Sequence, residues 1–392
     1  MSSSTAIKPL LQSFLPEIIA LRHQLHAHPE LAHEEFETAA LISKRLQKFG
    51  YEVQEGIAGT GVSAVLDSGK PGKTVALRAD IDALPIHEKT NLSYASKIAG
   101  KMHACGHDGH TATLLAAAGA LIHCKKNFKG KIKFIFQPAE ETGTGAVALI
   151  EAGILENPKV DAIFGYHNSS QSEFGVFKTT PETLFVSSDA FTITIHGKGG
   201  HAAYPNKTID PIYIGSLIVQ ALQGIISRCS SPMEPAVLSI TQFHAGTTHN
   251  VIPSEVILQG TVRAITPAAR ATIKEKLIEV VIQTASMFGA TADVHFSYSF
   301  PPTINHLQET ELAIATAESI LGKEKVVLLQ HPAMASEDFS YYLEKIPGCY
   351  FWVGMGLKEF TPHQPSYEFN DAIIPIAAEI LAQVAIEYLN QH

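Results

Sequence analysis

The spacing of apolar residues divides this chain into an outer part and a middle part. In the outer part, short apolar runs that are typical of buried strands occupy 61–67, 74–80, 131–137, 161–167 and 349–355. Helical spacing of apolar residues occupies 14–49, 109–124, 144–153, 308–321 and 371–390. Within 14–49, Pro29 predicts a first helix that ends near residue 27 and a second that starts near His33. The alternation of strands and helices indicates an α/β fold with a mostly parallel sheet and helices on both faces.

The middle of the chain follows a different pattern. Alternation of apolar and polar residues, which is typical of half-buried strands, is found at 187–197, and further strands are predicted at 236–244, 255–265 and 291–300. Helices are predicted at 208–227 and 266–288, the second with Thr266 as cap and Pro267 in its first turn. The order β-α-β-β-α-β is that of a ferredoxin-like α+β domain. We therefore expect a discontinuous catalytic domain, 1–184 and 301–392, with an inserted domain at 185–300.

Length, composition and charge exclude several classes of protein. With 392 residues, two domains are the ordinary expectation. The net charge of −9 and the absence of a long basic run argue against a nucleic-acid partner. The first residues lack the features of a signal peptide, and no stretch predicts a membrane partner. We expect a cytoplasmic protein.

The cysteines support that expectation. Cys105, Cys124, Cys229 and Cys349 are widely spaced in a chain too large to need disulfide bonds. Cys124 lies late in a predicted helix and Cys349 at the entrance of a predicted buried strand, so both are expected to be packed thiols. Cys105 differs, because its neighbours are metal-ligand types, and without a CxxC partner it is not predicted to be a redox thiol.

Polar residues with metal-binding chemistry follow the predicted strands of the outer part. In open α/β sheets, sites form beyond the carboxyl ends of the strands, so five distant segments should meet at one edge. The candidates are Asp82, Cys105, His107, Asp108, Glu140, Glu141, His167 and His363. Taken one at a time, each has a simpler explanation, such as a helix cap or a solvated loop residue.

The number of candidate ligands predicts two metal ions. One zinc ion takes three or four protein ligands, and this set contains more. Two-metal sites suit hydrolysis, because together they activate water and polarise a carbonyl. In the pair Glu140–Glu141, one carboxylate could bind metal while its neighbour acts as general base. The donors suit Zn, Mn, Co or Ni.

Several motifs resemble those of one known family. They are RADIDALP (78–85), MHACGHDGHTATLL (102–115), FQPAEE (136–141), GYHN (165–168), GKGGHAAYP (197–205), HNVIP (249–253) and SEDFS (336–340). The opening LRHQLHAHPELAHEE (21–35) matches as well. In this order they resemble the M20 metallopeptidase family, in its subgroup of N-acyl-amino-acid amidohydrolases.

The resemblance implies roles for the outer-domain residues. Cys105 is implied to bridge two divalent metal ions, and Glu140 to be the general base. Each ion is implied to have two further ligands: His107 and His167 for one, Glu141 and His363 for the other. Asp82 is implied to orient His107. For the last ligand, His331 remains a rival to His363.

For the inserted domain, the resemblance implies a lid that also forms a homodimer or higher oligomer. His201 is implied to stabilise the oxyanion, with a plain loop histidine as the alternative. Asn250 and Arg263 are candidates for binding a substrate carboxylate, and a surface role is the alternative for Arg263. A second histidine-rich stretch (His23, His26, His28 and His33) is not predicted to bind metal, because Pro29 interrupts its geometry.

The expected activity is cleavage of the amide bond of an N-acyl-L-amino acid, a small-molecule substrate of the hippurate or N-acetyl-amino-acid type. Two alternatives remain open at this point. One is an N-acetyldiaminopimelate deacetylase, and the other is a non-catalytic protein that binds acyl-amino acids.

Overall fold

The computed structural model describes residues 4–359 and 361–392. The chain forms two compact units: Met1–Leu184, Ile304–His331 and Asp338–His392 make up the first, and Phe185–Thr303 with Pro332–Glu337 the second. The segments 301–303 and 332–337, predicted in the first domain, therefore group with the second. Ala333 bridges to Phe185 in parallel, and its carbonyl oxygen accepts a hydrogen bond from the Val186 N–H at 3.1 Å, which ties this segment to the second unit.

The elements are numbered in chain order. The strands are β1 (Val53–Ile57), β2 (Gly61–Asp67), β3 (Thr74–Asp80), β4 (Lys131–Gln137), β5 (Ala162–Ser169), β6 (Phe177–Thr179), β7 (Thr183–Phe185), β8 (Ser188–His196), β9 (Gly200–His201), β10 (Ala236–Ala245), β11 (Val251–Ile252), β12 (Glu255–Ala264), β13 (Thr291–Phe300), β14 (Thr303–Ile304), β15 (Val326–Leu328) and β16 (Gly348–Gly354). The α-helices are α1 (Ser4–Ala27), α2 (Phe36–Phe49), α3 (His107–Leu121), α4 (Gly145–Glu151), α5 (Pro211–Gly224), α6 (Pro267–Met287), α7 (Leu307–Leu321), α8 (Ser340–Leu343) and α9 (Ile374–Gln391). Short 3₁₀ turns occupy Ile122–Asn127, Pro205–Lys207, Lys323–Lys325 and Asp371–Ile373, and a π-helical turn occupies Ile225–Cys229.

The sheet of the first unit has the order β1-β2-β4-β3-β5-β16-β6-β15. Its central pairs, from β4 through β3 and β5 to β16, are parallel. Antiparallel pairs join β1 to β2, β2 to β4 and β16 to β6. Every residue of β3 is buried, as expected for a strand covered on both faces. The predicted mostly parallel sheet is confirmed.

Helix α3 lies at the centre of this unit and begins at the metal-ligand motif. All its described residues are buried, which suits its alanine-rich, uniformly apolar sequence. A Cβ on Gly119 would lie 2.9 Å from the Phe49 ring and 3.0 Å from that of Phe14, so glycine allows α1 and α2 to approach closely. Two stretches, Pro211–Cys229 and Asp371–Gln391, are long and apolar enough to cross a membrane, but 78% of the second is buried in the first unit, as in a core helix.

The second unit is built on the antiparallel sheet β10-β12-β8-β13. Its chain order β8-α5-β10-β12-α6-β13 is the predicted β-α-β-β-α-β pattern. Alternate residues of β8 and β12 are buried and pack against the two helices. Thr266 caps α6 by accepting a hydrogen bond from the Ala269 N–H, and Pro267 occupies the first turn, as predicted.

Two local expectations were wrong or incomplete. The second helix begins at Phe36 rather than near His33, because His33 has φ +65° and cannot belong to a right-handed helix. Strand β1 was not predicted, since its sequence VQEGI has apolar residues only at its two ends and three of its five residues are exposed. It forms an edge of the sheet, where burial imposes little apolar pattern.

Candidate metal centre

Three neighbouring parallel strands bring the predicted residues to one edge of the sheet. Asp80 is the last residue of β3, and Asp82 follows two residues later. Gln137 ends β4, and Glu140 and Glu141 follow it. The third of these strands, β5, carries His167 near its end. In open α/β sheets, binding and catalytic sites form beyond the carboxyl ends of the parallel strands.

Two other segments complete this edge. Gly106, with φ +98°, turns the chain from Cys105 into α3, whose first residue is His107. A Cβ there would lie 2.3 Å from Oδ1 of Asn168, so no side chain fits. His363 lies in the loop after β16. Its main-chain N–H donates a hydrogen bond to the Ala104 carbonyl oxygen at 2.8 Å, next to Cys105.

Among the donor clusters of the described residues, two triads share one sulfur atom. In the first triad, the donor atoms of Cys105, His107 and His167 lie within 4.8 Å of one another. The second triad joins Cys105 to Glu141 and His363 in the same way. Sγ of Cys105 lies 3.3 Å from Nε2 of His167, and Oε2 of Glu141 lies 3.4 Å from Nε2 of His363.

The chemistry of these donors fits two divalent ions. Thiolate, imidazole and carboxylate together are typical of zinc and of neighbouring transition metals. Oε1 of Glu141 is buried and has no hydrogen-bond partner among the described residues. A buried carboxylate oxygen left in this way suits a cation ligand. His331 is exposed and belongs to none of the donor clusters found among the described residues, whereas His363 does.

Hydrogen bonds select the nitrogen that each buried histidine presents. Nδ1 of His107 donates to Oδ1 of Asp82 at 3.1 Å, and Nδ1 of His167 donates to the Asn168 carbonyl at 2.7 Å. Both imidazoles therefore present Nε2 to the triad, which is the usual arrangement of metal-bound histidine. The other oxygen of Asp82 accepts from the Glu141 N–H at 3.0 Å.

The environment shifts the pKa values of the donors in different directions. Burial, together with the nearby His110, holds the pKa of His167 well below its usual value, so its imidazole is neutral. Burial alone would lower the pKa of His107, but Asp80 and Asp82 raise it well above the usual value. Burial raises the pKa of the Cys105 thiol to about 12. The metal must therefore displace a proton from this sulfur.

Glu140 lies beside the triads as a buried carboxylate, with 6% of its surface exposed. Its Oε2 is 4.0 Å from Nε2 of His107, and its Oε1 accepts a hydrogen bond from the Asp338 N–H at 3.3 Å. Its neighbour Glu141 belongs to the second triad. Both carboxylates lie near Nε2 of His107, which is 3.9 Å from Oε1 of Glu141, but only Glu141 also belongs to a cluster with Cys105 and His363.

A buried charge network supports this edge, and sequence reasoning missed most of it. Arg78 donates to Asp80 at 2.6 Å and to Asp338 at 2.7 Å. Asp80 lies 2.6 Å from Nδ1 of His110. Burial would raise the pKa of Asp80, but His107, His110 and Arg78 hold it well below its usual value. Nothing in the sequence around the motif SEDFS indicates this role of Asp338.

The second unit places two of its three candidates side by side. His201 in β9 pairs with Val251 in β11, and the Asn250 carbonyl accepts from the Ala202 N–H at 3.1 Å. His201 and Asn250 are both exposed. Arg263 lies on another strand, β12, where its guanidinium donates to the Val262 carbonyl at 3.0 Å and to the Thr261 hydroxyl.

Five other histidines belong to none of the donor clusters found among the described residues. The four residues of the second histidine-rich stretch make hydrogen bonds to four different groups: His23 to Asp371, His26 to Asp108, His28 to the Gln24 carbonyl and His33 to Thr144. The rings of His23 and His26 both contact Tyr94. His103 is fully buried, and neither ring nitrogen has a hydrogen-bond partner among the described residues. Burial lowers its pKa to about 4.

Comparison with known proteins gives a consistent result. Residues 76–387 match the family described as Peptidase family M20/M25/M40. The chain is 39% identical to the hippurate hydrolase of Campylobacter jejuni, over 96% of this chain and 100% of that protein. It is also 39% identical to thermostable carboxypeptidase 1 of Saccharolobus solfataricus, over 95% and 96%. A solved structure, the Bacillus subtilis YXEP protein described as a dinuclear metal binding peptidase, matches with a TM-score of 0.85 and 36% identity, over 96% of this chain and 99% of that one.

Proposed function

The chain belongs to peptidase family M20, and from that premise we propose that it hydrolyses the amide bond of N-acyl-L-amino acids to a carboxylic acid and a free amino acid. The single observation that carries this proposal is the pair of donor triads sharing Cys105, with the buried carboxylate of Glu140 beside them. Hippurate hydrolase and carboxypeptidase, the names of two relatives, both denote cleavage of an amide whose nitrogen belongs to an amino acid.

The metal centre supplies the electrophilic part of the reaction. Two divalent ions, when bound, lower the pKa of water and polarise the substrate carbonyl. We assign His107 and His167 to one ion and Glu141 and His363 to the other, with Cys105 shared between them. The two triads and the Nε2 atoms presented by the buried histidines support this assignment.

Glu140 is the proposed general base. Its carboxylate takes a proton from the attacking water and later delivers it to the departing amine, so that one water is consumed for each amide cleaved. The Asp338 N–H holds one carboxylate oxygen, and the other faces the imidazole of His107. Asp82 keeps His107 in the tautomer that leaves Nε2 free.

The second unit is proposed to act as the lid. We assign His201 to stabilisation of the oxyanion in the transition state. Asn250 and Arg263 are proposed to hold the substrate carboxylate, for which a guanidinium offers two parallel hydrogen bonds. The shared ladder of β9 and β11, which brings Asn250 next to the His201 segment, supports a common role for the first two residues.

The same unit is the proposed site of self-association. Strands β10 and β13 form the edges of its sheet, and an edge strand can pair with that of a second copy. Phe243 in β10 is 40% exposed, which suits an interface. Analytical ultracentrifugation that found only a 42 kDa species at micromolar concentration would contradict a homodimer. A cytoplasmic location is proposed as well, because all four cysteines are free.

The proposed function is tested with Glu140→Gln and a substrate panel. After reconstitution with Zn, Mn, Co or Ni, the wild type is assayed on hippurate, N-acetyl-methionine, N-acetyl-diaminopimelate and indole-acetyl-alanine. Glu140→Gln should keep its metal content and lose most turnover, whereas Glu151→Gln, at an exposed position of α4, should match the wild type.

Each outcome of the panel has a distinct meaning. Turnover confined to N-acetyl-diaminopimelate would favour a biosynthetic deacetylase, and turnover of all four substrates would favour a broad salvage enzyme. A metal-loaded protein that bound one acyl-amino acid tightly but cleaved none would contradict the enzyme. Near wild-type turnover by Glu140→Gln would contradict the general-base role.

A further inference from the structure

The main chain just before Glu140 adopts an unusual conformation. Ala139 is completely buried and has φ +54°, a left-handed value that a residue with a Cβ adopts at a free-energy cost. Such conformations persist only where surrounding contacts hold them, and they concentrate at functional sites. The contacts that hold Ala139 therefore affect the position of Glu140, the proposed general base.

The carbonyl side of this residue is held by the loop that follows. The Ala139 carbonyl oxygen accepts hydrogen bonds from the Gly145 N–H at 3.1 Å and from the Thr142 hydroxyl at 3.2 Å. A Cβ on Gly145 would lie 1.6 Å from the Pro138 carbonyl oxygen, so only glycine allows the chain to close here. These contacts are local, since all lie within seven residues of Pro138.

The amide side is held by a distant residue. Oε1 of Glu35 accepts the hydrogen bond from the Ala139 N–H at 2.9 Å, across 104 positions of the chain. Oε2 of Glu35 accepts from the Thr60 hydroxyl at 2.7 Å. Glu35 is completely buried just before α2, so its carboxylate has a fixed position.

Burying a carboxylate at this position costs free energy. Both of these partners are uncharged, and burial raises the pKa of Glu35 above its usual value. A buried polar group is tolerated when its hydrogen bonds are made, and removing it leaves its partner unsatisfied at a cost of about 1–3 kcal/mol. If the Glu35 side chain were removed, the Ala139 N–H, next to Glu140, would be left without an acceptor.

We propose that Glu35 is a positioning residue for catalysis, which holds the left-handed turn at Ala139 and so sets the place of the Glu140 carboxylate. This inference rests on the function proposed above. The side chain of Glu140 has its own contact with the Asp338 N–H at 3.3 Å. Glu35 therefore fixes the main chain on one side of the general base, while Asp338 fixes the carboxylate on the other.

The test compares Glu35→Ala, Glu35→Gln and the control Glu37→Gln in the metal-loaded enzyme. Glu35→Ala should lower kcat about 10- to 100-fold, because small displacements of a catalytic group cost that much. The KM and the content of two metals should stay at wild-type values, since Glu35 contacts neither substrate nor ligands in this proposal. Glu35→Gln keeps an acceptor for Ala139 and should restore kcat. Glu37 is exposed two residues away, so Glu37→Gln should have no effect.

A double-mutant cycle separates positioning from general damage. If Glu35 acts through Glu140, then Glu35→Ala should change the residual turnover of Glu140→Gln less than about twofold, because the two effects are not independent. An equal loss in both backgrounds, or a loss of bound metal, would overturn the proposal. So would a wild-type kcat in Glu35→Ala.

A crystal structure of Glu35→Ala decides the matter independently of activity. We expect a changed φ at Ala139 and a displaced Glu140 carboxylate, and an unchanged turn would overturn the proposal. If the wild type cleaved no N-acyl amino acid, the proposed function would fail, yet this structural readout would still decide whether Glu35 positions Glu140.

Discussion

The carboxylate of Asp82 lies 3.1 Å from Nδ1 of His107 and decides which imidazole nitrogen faces the donor triad. Its second oxygen accepts from the Glu141 N–H at 3.0 Å. One buried carboxylate thus accepts hydrogen bonds from a residue of each triad, although Asp82 itself belongs to neither. Asp82 links the two halves of the proposed metal centre.

We therefore expect Asp82→Ala to weaken metal binding about 10- to 100-fold, the usual effect of removing such a supporting group. Competition titration against a chelator measures this affinity directly. Asp67→Ala serves as control, because Asp67 is exposed at the end of β2. Wild-type affinity in Asp82→Ala would show that the tautomer of His107 is set by other groups.

His201 should affect turnover without affecting the metal. If it stabilises the oxyanion, His201→Ala should lower kcat about 100- to 1,000-fold, the range found when one such donor is removed. Metal content, measured by mass spectrometry of the elements, should remain two ions per chain. His295→Ala changes an exposed histidine of the same unit and should leave kcat unchanged. A loss of metal in His201→Ala would point to a different role.

Metal affinity should rise with pH, and Cys105 should account for part of the slope. Burial holds the pKa of its thiol near 12, so at neutral pH the metal-free thiol is protonated and binding must release that proton. One released proton corresponds to about a tenfold gain in affinity per pH unit. Titrations at pH 6.5, 7.5 and 8.5 measure the slope.

The variant Cys105→Asp tests the source of that proton. An aspartate at this position would bind as a carboxylate that is already ionised at these pH values. Its affinity should therefore depend on pH less steeply than that of the wild type, by about one proton. Equal slopes in the two proteins would mean that the Cys105 proton is not released on binding.

Many residues of the site could be predicted from the sequence, because the ends of the strands that carry them are easy to recognise. The runs 74–80 and 131–137 were predicted with the bounds that β3 and β4 have, and the polar residues after them were expected to meet. Local information sufficed for these strands, since buried parallel strands are continuously apolar. The fold class and the two-metal chemistry were predicted for the same reason.

Other features could not be predicted because their causes are distant in the chain. Asp338 contacts Arg78 across 260 positions and Gln137 across 201, and nothing near SEDFS reveals those partners. His33 has a left-handed φ, so α2 begins after it. The imidazole of His33 contacts the Thr144 hydroxyl, which is 111 positions away. Only tertiary structure shows these relationships.

We expect Arg78 to stabilise the folded protein rather than to determine which metal ion binds. It is 1% exposed and joins the buried carboxylates of Asp80 and Asp338. Removing one partner of a buried ion pair leaves uncompensated charge, so Arg78→Met should lower the free energy of unfolding by about 3–5 kcal/mol. Urea unfolding of the metal-free proteins measures this change.

The matched control is Lys131→Met. Lys131 pairs with Asp67 at 3.1 Å, but both side chains are about half exposed, and a solvated pair contributes at most about 1 kcal/mol. A loss for Arg78→Met no larger than that for Lys131→Met would contradict the structural importance of the buried network.

His26 should make stability depend on pH in the alkaline range. Its two ring nitrogens face two carboxylates, Asp108 at 2.9 Å and Glu88 at 3.3 Å. Burial alone would lower the pKa of His26, but the contact with Asp108 raises it from 6.5 to about 9. The folded protein therefore binds this proton more tightly than the unfolded chain does.

The sign of the effect follows from that difference. Stabilisation by the protonated His26 is fully present below about pH 6.5 and is lost as pH rises through about 9. The wild type should thus exceed His26→Gln in free energy of unfolding by up to about 3 kcal/mol more at pH 6 than at pH 10. Urea unfolding at pH 6, 7.5, 9 and 10 measures the difference. His28→Gln, at an exposed position near the end of α1, should show no such trend, and a difference that grew toward pH 10 would refute the proposed charge on His26.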